Sequence, residues 1–290
     1  MKSLVASLGI ALLASLAGPS LAQELSEEQV EEAKAFMLNN SIYVLYHEIG
    51  HLFVGEFGLP VLGKEEDAAD NLAALLLLQA GDEASEGVLV DSADGWYWSS
   101  AADGQDDPVD DSIYYSAHSL DLQRSYAIVC LMVGKDAEYF AETADSYEID
   151  ADRRESCAWD YQQVSESWNS LLQPNEIGVS DVEPREIAVT YEDSETYAEI
   201  QAAMQETEFL EHAAEMVSQT YALPRDIAFV AQECGEQNAY YSGSEAQVTY
   251  CYELADFFQT LYVTNVFEEA DAEEGEEVAD AEEEAETEEE

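Results

Sequence analysis

The sequence predicts an α+β fold, with a mainly helical first half and a small C-terminal antiparallel sheet accompanied by helices. Three observations carry that expectation. Up to about residue 173, capping signals and helix-ending glycines bracket apolar runs of helical length. From Glu186 to Phe267 the pattern changes to strand, long helix, strands, helix. A hydrophobic share of 47% in 290 residues suffices for one large core or two modest ones.

Residues 1–22 carry Lys2, an apolar run from Leu4 to Leu16, and Ser20-Leu21-Ala22. This is the layout of a secretory signal with a small-residue cleavage site, so the mature chain is expected to start near Gln23 and to be periplasmic or secreted. The run is too short for a membrane span, and no later stretch reaches the roughly 18 apolar residues a span needs. Ser26-Glu27-Glu28-Gln29 is a capping box opening a helix with Val30, Ala33, Phe36 and Met37 inward. Asn39-Asn40-Ser41 reads as an interruption, with Ser41 capping the helix that follows.

That next helix holds His47-Glu48-Ile49-Gly50-His51. Residues four apart share a helix face, so the two imidazoles can address one cation while Glu48 stands beside them as a general base for a zinc-activated water. A catalytic zinc site needs a third protein ligand. Gly58 and Pro60 should end the helix, and Glu65 to Leu78, closed by Gly81, reads as a second one that returns Glu66 toward His51. Asp70, one turn beyond Glu66, can accept a hydrogen bond from the nitrogen of a zinc histidine that faces away from the metal. Glu65 competes with Glu66 for the ligand role.

His47-Glu48-x-x-His51 followed by Glu66-x-x-Ala69-Asp70 resembles the gluzincin pattern, in which a glutamate on a following helix is the third zinc ligand and an aspartate four residues later supports a histidine. The longer strings YHEIGHLF and GLPVLGKEEDAADNLA resemble a bacterial family grouped with the metallopeptidases, domain of unknown function 4344. Two later blocks fit it as well: His118 to Arg124 with Cys130, and Glu233 to Tyr241 with Cys251 to Leu254. The resemblance implies a zincin-like helical half, a Zn²⁺ ion on His47, His51 and Glu66, and a peptide or protein substrate. The gap from His51 to Glu66 is shorter than in thermolysin-like gluzincins.

Asp91 to Asp111, rich in aspartate with Gly95, Gly104 and Pro108, reads as a long irregular loop without EF-hand spacing. A helix is expected from Ser112, carrying His118, Asp121 and Arg124 toward Cys130. His118, ahead of Arg124 and Tyr126, is the candidate donor to the oxyanion of a scissile carbonyl, with a fold-level bond to Asp121 as its alternative. His212, in the amphipathic run from Glu195 to Tyr221, is expected to be structural. Four cysteines in an exported chain suggest two disulfides, with sequence-local pairing of Cys130 with Cys157 and Cys234 with Cys251. The second would close a hairpin of the strands Ile227–Gln232 and Gln247–Tyr252.

Acid dominates the surface: 65 Asp and Glu stand against 9 Lys and Arg, for a net charge of −56. Such a surface repels nucleic acid and anionic membranes, which are therefore not expected as partners. Scarcity makes Lys64, Arg124 and Arg225 informative, since each should pair with a particular carboxylate or with substrate; Arg153 and Arg154 read as fold-holding ion pairs. Residues 268–290, with 15 acids in 23, have little to bury and should be disordered, leaving 23–267 as the working unit, helical over 23–173 and α+β over 186–267. An exported binding or scaffold protein with a structural or vestigial metal site would share these surface features, and only the base Glu48 separates the two readings.

Overall fold

The computed structural model describes residues 25–102 and 115–268; the expected signal and nearly all of the acidic tail lie outside them. The chain starts with α1 (Glu27–Phe57), opened by the expected capping box, in which the Gln29 N–H donates to Ser26 Oγ and the Ser26 N–H to Gln29 Oε1. The interruption expected at Asn39-Asn40-Ser41 does not occur, and α1 runs unbroken for 31 residues. Its polar side chains bond inward instead. Asn40 Nδ2 donates to the Phe36 and Asp91 carbonyls, and Ser41 Oγ donates to the Met37 carbonyl at 2.7 Å and meets the Tyr250 hydroxyl at 2.7 Å. Buried partners satisfy the side chains that would otherwise have competed for the helix backbone.

Gly58, with φ 62°, ends α1 in the left-handed conformation glycine adopts without strain. The returning helix α2 (Glu65–Ala80) ends the same way at Gly81. These two helices touch at backbone distance: a Cβ on Gly50 would lie 2.9 Å from the Ala69 Cα. Gly50→Ala must therefore push apart the two helices that carry the histidines and Glu66. We expect it to cost about 1–3 kcal/mol, the usual range for overpacking, read as a lower melting temperature.

Helix α3 (Glu83–Ala102) occupies much of the stretch expected to be loop. Its aspartates are spent on packing, Asp91 accepting from Asn39 Nδ2 at 2.6 Å and Asp94 from the Tyr147 hydroxyl at 2.6 Å; the rest of the expected loop, from residue 103, lies outside the described residues. Helix α4 (Asp121–Lys135) starts later than the expected Ser112, so His118 precedes it rather than riding on it. Two side chains at the start of α2 hold that approach: Lys64 Nζ donates to the His118 carbonyl and Ser119 Oγ donates to Asp67. After α5 (Ala141–Ser146) comes α6 (Ala151–Leu172), joined to α4 by the expected Cys130–Cys157 disulfide. Arg153 and Arg154 pair with Asp160 and Asp145, as fold-holding ion pairs should.

The second half is strand β1 (Ile187–Tyr191), helices α7 (Ala198–Glu206) and α8 (Phe209–Thr220), strands β2 (Ile227–Gln232), β3 (Ala239–Ser242) and β4 (Gln247–Cys251), and helix α9 (Tyr252–Val263). The expected single helix over 195–221 is split at Glu208, which takes φ 51°. The sheet has the order β1-β2-β4-β3 and is mixed rather than antiparallel. β2 lies parallel to both β1 and β4, and only β3 runs antiparallel to β4. The hairpin thus forms from β3 and β4, not from the two strands expected to pair in it. Cys234–Cys251 forms as expected, linking the chain just after β2 to the end of β4.

Helix α1 is shared by two cores. Leu45, Ile49, Leu52 and Phe53 pack in one with Phe229, Tyr250, Phe258 and Leu261 of the second half. Tyr43 belongs to the other, with Leu77 and Leu78 of α2, Leu89 of α3 and Ile128 to Val133 of α4. From Phe36 to Val54 the helix is covered on most sides, which holds its histidines in a fixed frame, whereas Val30, expected inward, is exposed on the first turns. No helix among the described residues is long and apolar enough to cross a membrane.

Candidate metal centre

The i and i+4 spacing on α1 brings His47 Nε2 and His51 Nε2 to 3.1 Å of each other. The turn after Gly58 carries α2 back so that Glu66 Oε2 lies 3.2 Å from His47 Nε2 and 3.1 Å from His51 Nε2. His118 arrives from the other side of the sequence, its Nε2 3.0 Å from the same Glu66 oxygen and its ring stacked on His47. His47, Glu66 and His118 present ligand atoms within 4.8 Å of one another, a group able to hold a metal ion. Imidazoles gathered around one carboxylate are the kind of donor set that can hold a cation.

Behind the histidines stands a second layer of charge. Asp70 Oδ1 lies 2.7 Å from His47 Nδ1, the position the sequence suggested for it. Arg124 Nε and Nη2 donate to the two oxygens of Asp70 at 2.8 and 2.9 Å, and the guanidinium lies 3.5 Å over the Trp96 ring. Arg124 is buried and fully committed, so it does not serve as the oxyanion donor considered for it. Its role is to hold Asp70, which in turn holds His47. Tyr126, the other candidate donor, is half-exposed and packs its ring against Tyr147. Sequence reasoning also missed Glu65, whose Oε1 lies 2.9 Å from His51 Nδ1. Each metal-facing histidine on α1 thus has its own carboxylate behind it. The signal was present in Glu65-Glu66, but two adjacent acids were read as competitors for one task.

Glu48, next to His47 on α1, is buried, and burial raises its carboxyl above the usual range against the pull of His47 and His51. The Tyr241 backbone N–H of β3 bonds to it and favours the charged form. Burial also opposes charge on His47, but the bonds to Asp70 and Glu66 outweigh it and push that imidazole up to about 9. Asp70 is resisted by burial and still held well below the usual carboxylate range by Arg124 and His47. Hydrogen bonds from His118, His47 and His51 hold Glu66 lower still.

The pH response follows from these directions. In metal-free protein His47 rises from 6.5 to about 9 on folding, so its contribution is complete below pH 6.5 and is lost as pH climbs through 9. Asp70, lowered on folding, contributes above its unfolded value and is lost only as pH falls below it. We expect the melting temperature of metal-free protein to fall between pH 6.5 and 9, and Asp70→Asn to flatten that fall. Affinity for any cation that His47 holds should run the opposite way, rising across the same window because a ligating imidazole must be neutral. Titration calorimetry in buffers of different ionisation enthalpy would read the proton released.

The remaining expectations sort cleanly. Lys64 meets the His118 backbone carbonyl rather than the carboxylate or substrate expected for it, whereas Arg225 pairs with the Glu56 carboxylate and the Tyr241 hydroxyl. His212 is exposed and meets only Glu208 at 3.6 Å among the described residues. Cys234, Cys251 and Glu253 also cluster, but the sulfurs form a disulfide and Glu253 accepts the backbone N–H groups of Cys234 and Gly235, which leaves no metal ligands there.

No match to the chain reaches significance among curated proteins or among solved structures. A family profile does match, over residues 11–172 and 190–285, and so covers the histidine helix, the returning helix, the His118 approach and the sheet. The chain therefore belongs to the family of domain of unknown function 4344, described as "Putative metallopeptidase".

Proposed function

We propose that the protein is an exported zinc-dependent peptidase, with His47, His51 and Glu66 holding the ion and Glu48 acting as general base. The observation that supports it most is the convergence of two α1 imidazoles and one α2 carboxylate at 3.1 to 3.2 Å, each histidine backed by its own acid. A tetrahedron whose centre lies about 2.0–2.1 Å from nitrogen or oxygen corners has edges of about 3.3 Å, so these spacings suit zinc. Held there, zinc would polarise the scissile carbonyl and acidify a water. Glu48 accepts the proton of that water and returns it to the departing amine. Asp70 and Glu65 fix the histidine tautomers, and Arg124 fixes Asp70.

A peptide substrate fits the surroundings of Glu48. β3 ends the sheet, and its Tyr241 N–H faces Glu48, so the free edge of β3 leads toward the centre and offers main-chain bonds to an extended chain. The leader-like residues 1–22 and the two disulfides support export to an oxidising compartment. Metal analysis of purified protein tests the reading. One zinc per chain, lost in His47→Ala, is expected; sub-stoichiometric zinc indifferent to that change would refute it. A non-catalytic protein with a structural metal is the second reading. The fourth donor, His118, favours it, because structural zinc sites are closed by four protein ligands.

A further inference from the structure

We propose that His118 is a fourth and displaceable metal ligand, which closes the coordination of the ion in the resting protein and gives up its place to substrate; this rests on the metal site of the preceding reading. The geometry places it there. Its Nε2 is as close to Glu66 Oε2, at 3.0 Å, as those of the two α1 histidines, and it shares a metal-sized group with His47 and Glu66. The contacts of 3.0 to 3.2 Å around that one oxygen are near three of the six edges of a zinc tetrahedron, and the 3.1 Å between His47 and His51 is near a fourth. A catalytic site needs one of those corners for water or a carbonyl, so one of the four must leave.

The support behind each donor tells which. His47 and His51 sit on α1 with side chains 4% and 16% exposed, each held from behind by a carboxylate. Glu66 is on the α2 helix packed against α1. His118 lies outside any helix, with 48% of its side chain exposed. Its approach is held from outside by the Lys64 bond to its carbonyl and the Ser119 bond to Asp67. Lys64 is one of 9 cationic Lys and Arg residues in a chain with 65 acids, and it is spent on this carbonyl. Both tethers start from the same end of α2 as Glu66. The imidazole can therefore swing out while the other three donors stay.

X-ray absorption on the zinc-loaded full chain counts the imidazoles around the metal. Three are expected in the wild type and two in His118→Ala, with zinc bound at least about tenfold more weakly, the lower end of what losing even an outer partner of a ligand costs. Acetohydroxamate, a chelating probe with a carbonyl oxygen, should lower the wild-type count from three to two. His118→Gly supplied with free imidazole should recover the count of three. Two imidazoles in the unliganded wild type would overturn the proposal and leave the three-ligand peptidase standing. Three that persist with acetohydroxamate bound would overturn displacement and favour the structural-site reading. A wild type that holds no stoichiometric zinc would overturn the proposal and the peptidase reading together.

Discussion

Glu48→Gln is expected to lower peptide hydrolysis by about 10²–10⁴-fold, the range a positioned general base contributes, with zinc stoichiometry and melting temperature near wild type. The substitution keeps shape, and the carboxamide oxygen can still accept the Tyr241 N–H that meets Glu48. What it removes is the ability to take a proton. Burial raises the Glu48 carboxyl, which moves a carboxylate base closer to working pH than an exposed one would be. A non-catalytic metal protein has no use for that group, so hydrolysis unchanged in Glu48→Gln would eliminate the peptidase reading even if zinc were found in full. Assays should use the disulfide-intact chain, since the two disulfides close separations of 27 and 17 residues and are each worth about 3–4 kcal/mol in the chain-entropy account.

Glu66→Ala is expected to abolish stoichiometric zinc binding. One oxygen of Glu66 faces three imidazoles, so its removal takes away a ligand and leaves the histidines without their shared carboxylate. Asp70→Ala should weaken zinc roughly 10 to 100-fold, because the partner that orients His47 is lost while the donors remain. That variant also leaves Arg124 buried beneath Trp96 without its carboxylate, so its loss of stability should exceed that of Glu66→Ala. Glu65→Ala should cost less than Asp70→Ala, since Glu65 is half-exposed and water can replace it behind His51. Chelator competition gives the order Glu66, Asp70, Glu65. A zinc-free Glu65→Ala with normal Glu66→Ala would reverse the assignment of the two adjacent acids.

Much of this centre was legible because helix geometry is local. Four-residue spacing fixed His47 with His51 and Glu66 with Asp70, and Gly58 announced the turn that brings the pairs together. The disulfides followed from compartment and proximity in sequence. Other features were not local. Ser41 stays helical because Tyr250, more than two hundred residues away, bonds to its hydroxyl. The aspartates of α3 suggested solvent, yet Asn39 and Tyr147 satisfy two of them inside the packing. Gln247 to Tyr252 was recognised as strand, of which Gln247 to Cys251 forms one, but its parallel neighbour is chosen by sheet order, which a strand's own residues do not encode. Arg124 was singled out for its rarity and does pair with a particular carboxylate, but which one was not legible, because only the fold puts Asp70 between it and His47.

The sharing of α1 between two cores also bears on the order in which the molecule comes into being. A chain emerging N-terminus first completes the histidine helix more than two hundred residues before Phe258 and Leu261, which cover one of its faces. Tyr241, whose N–H meets Glu48, is nearly as late. Such distant contacts make for slow, all-at-once folding. On the proposed peptidase reading, the polypeptide would therefore carry its donor residues during synthesis without the activity, and any hydrolytic risk to itself would begin only after its last helix has docked.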